Sequence, residues 1–198
     1  MNAEKTDETL NETNQYLTFT LRDEDFALDI RKVREVRDYI TITRVPRMPE
    51  YLRGIINLRG NVVPIVDLRF KLGIASTEQS MDTCIVIVEI MIDDEVNHIG
   101  ALADSVKEVI DLDPTQISPP PKLGIGIRNE FIKGVVRQDD NFLIILDIDR
   151  IITAAKPDID KIFISEETTD LSGQDKVDIF NMSVHTPNAE QKSMEQVI

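Results

Sequence analysis

Short runs of apolar residues, separated by acidic or glycine-containing turns, follow one another along most of this chain. Several runs alternate apolar with polar positions, as half-buried strands do, and residues 85–88 form an unbroken apolar run that we expect to be buried. Predicted strands cover residues 16–21, 26–30, 83–92, 98–103, 106–112, 131–137 and 142–146. Because no regular strand–helix–strand alternation develops, the pattern predicts an all-β barrel architecture rather than a doubly wound nucleotide-binding sheet.

The clearest local signal is a hairpin in the first half of the chain. Residues 55–58 and 62–66 are apolar and flank Gly60-Asn61, a dipeptide suited to a two-residue hairpin turn. Such a turn would hold the long cationic side chain of Arg59 on a rigid tip. Pro64 cannot donate a ladder hydrogen bond, so we expect its strand at a sheet edge or a bulge. No acid–base residues surround the tip in sequence, and we interpret the hairpin as a surface for protein contact.

Helices are predicted to be few and short. Asp67 is placed to cap a helix over residues 68–72, and Gly73 is placed to end it. Asp147 is placed to cap a terminal helix in which Ile148 and Ile151 lie on one side.

The two ends of the chain differ in composition from the middle. Residues 1–14 are polar without periodicity and predict a flexible N-terminal arm, which leaves a folded domain over residues 15–154. Residues 155–198 are rich in Ser, Thr, Asp, Glu, Asn and Gln and predict an acidic, mostly disordered tail. The apolar groups at 162–164 and 177–180 are too isolated in sequence to predict a core.

Charge and cysteine content narrow the class of protein. The net charge of −14 opposes nucleic-acid binding, which depends on cation–phosphate contacts, and only 5% of residues are aromatic. Residues 16–71 carry eleven bases and eight acids (+3), whereas residues 72–155 carry six bases and fifteen acids (−9). This segregation fits either head-to-tail contact with a similar fold or chance distribution over a solvated surface. No apolar run approaches the roughly 20 residues that a membrane span needs, so direct membrane insertion is not expected. The single cysteine, Cys84, is consistent with a reducing cytoplasm.

Residues that could support chemistry are sparse. The histidines are His98 and His185, and no Cys/His cluster has metal-ligand spacing. The acids at 93–95 and 139–140 are contiguous and lack the alternating spacing of a calcium loop. The Gly-Ile-Gly at 124–126 lacks the strand–helix context of a dinucleotide loop. We therefore expect a binding module with no cofactor and no metal, and not an enzyme.

Several motifs occur in order between residues 16 and 152. Val33-Arg34-Glu35-Val36 follows the second predicted strand, and residues 51–69 contain the hairpin. Further blocks follow at residues 104–109, 117–121, 131–135 and 143–152. This ordered set resembles the CheW family of adaptors, which couple chemotaxis receptors to the histidine kinase CheA.

The resemblance implies a fold, two partners and a location. The implied fold is two intertwined five-stranded SH3-like β-barrels with short helices around a common core. The implied partners are the cytoplasmic helical-hairpin tip of a methyl-accepting chemotaxis receptor and the CheW-like regulatory domain of CheA. The receptor tip would dock in the groove between the barrels, and the protein would be cytoplasmic and recruited to membrane-bound receptor arrays.

The resemblance also assigns site residues by position. Receptor contact falls on Val33, Glu35, Arg59, Cys84 and Ile85, and kinase contact falls on Val106 and Val109. An exposed Glu–Arg pair flanked by Val and Ile would give a polar-rimmed apolar groove suited to an amphipathic helix. Two alternatives stay open at this point: a CheW-like scaffold of a non-flagellar pathway, and a small nucleic-acid-binding barrel, which the charge opposes.

Overall fold

Two five-stranded sheets make up the body of the protein. The computed structural model describes residues 14–75, 78–120, 127–138 and 141–167 of the 198-residue chain. The predicted N-terminal arm lies outside the described residues apart from Asn14, which begins the first strand. Within the described part, no helix is long and apolar enough to cross a membrane.

The chain forms ten strands and three α-helices in these described ranges. The strands are β1 Asn14–Leu21, β2 Glu24–Asp29, β3 Val33–Asp38, β4 Leu52–Leu58, β5 Asn61–Asp67, β6 Cys84–Ile92, β7 Glu95–Ala103, β8 Ser105–Leu112, β9 Ile132–Gln138 and β10 Asn141–Leu146. The helices are α1 Leu68–Leu72, α2 Ile148–Thr153 and α3 Lys156–Glu167. Sheet A has the order β8-β1-β2-β10-β9, and sheet B has the order β3-β6-β7-β5-β4.

The two halves of the chain repeat one topology and exchange strands. Each half supplies a hairpin, an edge strand, a second hairpin and a short helix, from β1 to α1 and again from β6 to α2. The first hairpin of each half lies in one sheet and its remaining strands lie in the other. Each sheet therefore contains one parallel pair, β10 with β2 and β5 with β7, where strands from different halves meet. The predicted all-β, intertwined architecture is confirmed.

An isolated antiparallel bridge closes each sheet into a barrel. The chain that leaves the edge strand β3 returns to the opposite edge of sheet B, where Thr43 pairs with Ile55 of β4. In sheet A the chain that leaves β8 returns in the same way, and Ser118 pairs with Val135 of β9. Apart from this bridge, the two edge strands of each sheet, β3 and β4 in sheet B and β8 and β9 in sheet A, face each other without backbone pairing. We call this unpaired line between the two edges the seam.

A glycine lies beside each closing bridge because the returning chain leaves no room for a side chain there. A Cβ atom at Gly54 would lie 2.1 Å from the carbonyl oxygen of Thr43, and Gly54 also has a φ of +139°. A Cβ atom at Gly134 would lie 2.4 Å from Cγ2 of Ile117. Both glycines are therefore required by the closure itself.

Alternate residues of the central strands enter different cores. On β6, Cys84 and Val86 face the core shared by the two sheets, whereas Ile85 and Ile87 face the separate interior of the sheet B barrel. The same alternation on β10 directs Ile144 to the shared core and its neighbours to the interior of the sheet A barrel. Central strands are consequently buried on both faces, which explains the unbroken apolar run at residues 85–88 and confirms its predicted burial.

Pro64 shows that strand order alone does not decide where proline fits. Its strand, β5, lies between β7 and β4, so the prediction of an edge strand is wrong. Pairing with β7 begins only at Ile65, however, and Pro64 faces a paired strand on the β4 side alone. The missing N–H therefore breaks no ladder bond toward β7.

Both predicted helix caps are confirmed. The Asp67 side chain accepts a hydrogen bond from the Arg69 amide at the start of α1, and Gly73 ends this helix in the left-handed region at φ +75°. The Asp147 side chain accepts from the Arg150 amide at the start of α2. These caps depend on neighbours in sequence, and for that reason local reasoning finds them.

A buried ion-pair network joins the two sheets. The Arg69 guanidinium, 4% exposed, donates Nε to Oδ1 of Asp67 at 2.9 Å and Nη2 to Oδ2 at 2.8 Å. Its Nη1 donates to Oδ1 of Asp104 at 2.6 Å, and Asp104 also accepts from the Arg22 amide in the β1–β2 turn. The network thus connects sheet B, the crossover between sheets and sheet A.

The first prediction compares this buried pair with an exposed copy of it. Asp29 and Arg31 make the same bidentate contact, at 2.9 and 2.6 Å, but the Arg31 side chain is 71% exposed. Arg69→Met leaves buried carboxylates without their cation and should lower the free energy of unfolding by about 3–5 kcal/mol. The control Arg31→Met should lower it by less than about 1 kcal/mol. Equal losses in denaturant titrations would show that burial of the pair has no energetic consequence.

The predicted disorder from residue 155 onward is wrong for its first part. Residues 156–167 form α3, and Ala155, Ile159 and Ile162 are buried in the shared core. The Tyr51 hydroxyl donates to the Asp158 carboxylate on α3, and this contact together with burial raises the pKa of Tyr51. Isolated apolar residues in sequence therefore pack because the rest of the fold supplies a surface for them. Residues 168–198 lie outside the described part of the structure.

The second prediction follows from this packing. Truncation after Ala155 removes Ile159 and Ile162 from the core and should cost roughly 2–4 kcal/mol of unfolding free energy. The thermal midpoint should fall by about 5–15 °C. Truncation after Glu167 keeps all of these contacts and is the matched control, with an unchanged midpoint. An equally unchanged midpoint after Ala155 truncation would mean that α3 adds nothing to the core.

Candidate functional site

The tip of the β4–β5 hairpin has a tight turn made by Arg59 and Gly60. Both residues have positive φ values, 54° and 93°, as a type I′ turn requires, and Leu58 pairs with Asn61. The turn is therefore one residue earlier than the predicted Gly60-Asn61. The Asn57 side chain accepts a hydrogen bond from the Gly60 amide at 2.8 Å, which holds the tip. Arg59 is consequently part of the turn backbone and not merely adjacent to it.

The Arg59 side chain crosses the open seam of the sheet B barrel. Its Nη2 donates to Oε2 of Glu35 on the edge strand β3 at 3.0 Å. The arginine is 77% exposed and the glutamate 25% exposed. Within the described residues, the other oxygen, Oε1, is buried and accepts no hydrogen bond, because Arg37 Nη1 is 3.6 Å away. The pair is therefore accessible from outside mainly through the guanidinium of Arg59.

A shallow depression lies along this seam. Its walls combine the ion pair with Val36, which is 42% exposed, and Ile40. We call this surface the seam groove, and the residues that line it are Glu35, Val36, Arg37, Asp38, Ile40, Asn57 and Arg59. Exposed apolar side chains enclosed by charged ones fit an amphipathic helix better than a small polar ligand.

Three predicted receptor-contact residues lie beneath the groove and not on it. Val33 is partly buried against the shared core, at a bulge in the pairing of β3 with β6. Ile85 is fully buried and Cys84 is 7% exposed, although they pair with Arg37 and Asp38 of β3. Neither side chain is exposed, because central-strand side chains face the cores, and receptor contact by Cys84 and Ile85 stays a prediction. Burial raises the pKa of the Cys84 thiol to about 11.

The predicted kinase-contact residues lie on the structural counterpart of β3. The edge strand β8 of sheet A carries Val106-Lys107-Glu108-Val109 where β3 carries Val33-Arg34-Glu35-Val36. A bulge occurs at the same place in both strands. Val106 is partly buried against the shared core, as Val33 is. Val109 is 46% exposed, close to the 42% of Val36.

Sequence reasoning missed five groove residues: Val36, Arg37, Asp38, Ile40 and Asn57. Val36 follows Val33 by an odd number of positions, so strand alternation places the two side chains on opposite faces. That spacing was a usable signal for an exposed valine. Ile40 and Asn57 had no such signal, because they meet only when the loop after β3 returns to β4.

Comparison with known proteins gives the same family throughout. A family model for the CheW-like domain matches residues 15–156. The chain is 34% identical over 140 residues to chemotaxis protein CheW of Klebsiella aerogenes, covering 71% of this chain and 82% of that protein. It is 36% identical over 141 residues to chemotaxis protein CheW of Thermotoga maritima, covering 70% and 87%.

A solved structure agrees with the fold as well as the sequence. The crystal structure of the scaffolding protein TtCheW from Thermoanaerobacter tengcongensis superposes with a TM-score of 0.64 at 37% sequence identity. The match covers 70% of this chain and 87% of that chain. The chain therefore belongs to the CheW family of chemotaxis scaffold proteins.

Proposed function

We propose that this protein is a non-catalytic adaptor that couples methyl-accepting chemotaxis receptors to the histidine kinase CheA. It holds the cytoplasmic tip of the receptor at the seam groove of the sheet B barrel, which replaces the groove between the barrels that the resemblance implied, and it holds the regulatory domain of the kinase at the edge strand β8. The observation that carries the proposal is the exposed Glu35–Arg59 pair, which spans the seam at 3.0 Å beside the exposed Val36.

The seam groove has the properties that helix recognition requires. The guanidinium of Arg59 has donors beyond the one that contacts Glu35, and Arg can hold a carboxylate or two carbonyls with parallel bonds. Its turn backbone is fixed by the Asn57 contact, so little freedom is lost when a partner binds. Val36 supplies the apolar contact between the charged groups. A helical receptor tip with polar and small apolar residues matches this surface.

The kinase side of the proposal depends on the repeat within the fold. Since β8 is the counterpart of β3, the protein presents two similar edges in different sheets. Strand β3 carries two bases and two acids, whereas β8 carries one base and two acids, so the two edges differ in charge. Distinct edges allow one molecule to hold two partners at once, which is what an adaptor must do.

Location follows from the partners. The protein acts in the cytoplasm and joins membrane-bound receptor arrays through contact with the receptors. It supplies no turnover of its own and increases kinase autophosphorylation only where a receptor is bound as well.

The third prediction tests the seam groove. Arg59→Ala should leave the fold intact, with a change below about 0.5 kcal/mol in unfolding free energy, because the side chain is exposed. Receptor-tip affinity should fall by about one to two decades, and kinase affinity should stay normal. The measurement is titration calorimetry with a receptor-tip fragment and separately with the kinase regulatory domain.

A double-mutant cycle with Glu35→Ala shows whether the two residues act together. Because the side chains are in contact, the two losses of receptor affinity should combine non-additively. If Arg59→Ala unfolds the protein, or binds the receptor as tightly as the unmodified chain does, then the assignment of this site is wrong.

The fourth prediction tests the second edge. Val109→Asp places a charge on the exposed part of β8 and should weaken kinase binding by at least about tenfold, with receptor binding unchanged. The matched control is Val36→Asp on β3, which should show the reverse selectivity. Loss of both activities in one variant would mean that the edges are not separate sites.

A further inference from the structure

Arginines follow the seam of the sheet B barrel beyond the ion pair already described. Arg37 and Arg59 lie at one end of the seam, where β3 faces the hairpin tip. Arg44 lies at the other end, because its Cα is 3.0 Å from the position of a Cβ at Gly54. Four residues of β4 separate these ends, a distance of about 13 Å. Arg47 follows in the same loop.

The charges of Arg44 and Arg47 are not neutralised by any other residue that the structure describes. Arg44 and Arg47 are exposed, and neither forms an ion pair with another residue that the structure describes. Residues 31–59 hold eight bases and three acids, a net charge of +5 in a chain of −14. The seam is therefore a basic surface on an acidic protein and should attract an acidic segment.

The chain contains an acidic segment that can reach this surface. Residues 168–198 lie beyond α3 and carry five acids and two bases, a net charge of −3, with Asp170, Asp175 and Asp178 close together. Helix α3 starts beside the basic loop, because the Tyr51 hydroxyl donates to Asp158 and Tyr51 is only four residues after Arg47. The helix that leads into the segment is therefore anchored near the arginines at its start.

The distances are compatible with docking in the same molecule. The part of α3 between residues 158 and 167 is about 14 Å long, and each further extended residue adds about 3.3 Å. A tethered segment also has an effective concentration in the millimolar range, so even a weak electrostatic contact becomes populated.

We propose that the first part of the acidic segment, residues 168–178 with three acids and one base, docks along the arginines of the seam and competes there with the partner helix. The competition rests on the proposed function, whereas the docking does not. The segment then acts as an internal competitor and lowers the affinity of the seam groove for every partner. A strongly binding partner displaces the segment, whereas a weakly binding partner does not.

The docking is tested with a spin label at Ser172→Cys and amide NMR spectra of the full chain. Cys84 is buried, so a thiol reagent should label only the introduced cysteine. Amide signals of Arg44, Arg47 and Gly60 should lose most of their intensity, and that of Phe142 in the equivalent hairpin of sheet A should not. No loss at the seam, or an equal loss over both sheets, would overturn the proposal.

Charge variants of the labelled chain show what holds the segment. Neutralising the tail with D170N, D175N and D178N, or the seam with R44Q and R47Q, should restore the signals. Salt at about 1 M should do the same, because it shortens the screening length to about 3 Å. The control R128Q with K133Q removes two exposed cations, one just before β9 and one on β9 of sheet A, and should leave the signal loss unchanged. Signal loss that survives neutralisation of the three acids contradicts electrostatic docking.

A binding measurement tests the competition separately. Truncation after Glu167 should raise the affinity for a receptor-tip fragment about threefold if the segment occupies the seam for two thirds of the time. Unchanged affinity together with signal loss at the seam overturns the competition. If neither the full chain nor the truncated chain binds the receptor-tip fragment, the proposed function is wrong. The spin-label measurement then still shows whether the segment docks.

Discussion

Burial of the core shared by the two sheets is the constraint on which the rest of the structure depends. Each half of the chain places its first hairpin in one sheet and its other strands in the second sheet. Neither barrel can therefore close, and neither face of the shared core can be covered, without the complementary half. The edge strand β3 and the β4–β5 hairpin belong to the same half, but in the order of sheet B they are separated by β6 and β7 from the other half. Glu35 and Arg59 meet across the seam because these two strands complete the sheet and allow it to close.

Charge is used in opposite ways inside the fold and at its edges. Arg69 is buried and fully committed to Asp67 and Asp104, where it joins the sheets. The edge strand β3 instead exposes charged side chains to solvent. Charged edges discourage uncontrolled strand pairing, which is the usual hazard of an open sheet edge. The same charges leave the seam available for a specific helical partner, so protection of the edge and recognition are served by one set of residues.

Much of the architecture could be predicted from local sequence. Strand periodicity, the caps at Asp67 and Asp147 and the left-handed Gly73 all depend on residues a few positions apart, and the structure has each of them. The hairpin was found but misplaced by one residue, because Gly60-Asn61 and Arg59-Gly60 both suit a tight turn. Pairing of β4 with β5 along their whole length decides between them, and that pairing is not local. Ordered motifs were enough to indicate the family.

The sequence alone therefore determined most of the strands, the two capped helices, the fold class and the family, whereas the tertiary structure decided which side chains are available for contact. Cys84 and Ile85 were assigned to the receptor site, but each face of β6 is covered by a core, which buries both side chains. Ile159 looked too isolated to pack and is buried because distant strands supply its surroundings. Val36 and Ile40 form the groove only after the loop beyond β3 returns to β4. Local alternation indicates exposure only in part, whereas the proximity of these side chains depends on residues far apart in the chain.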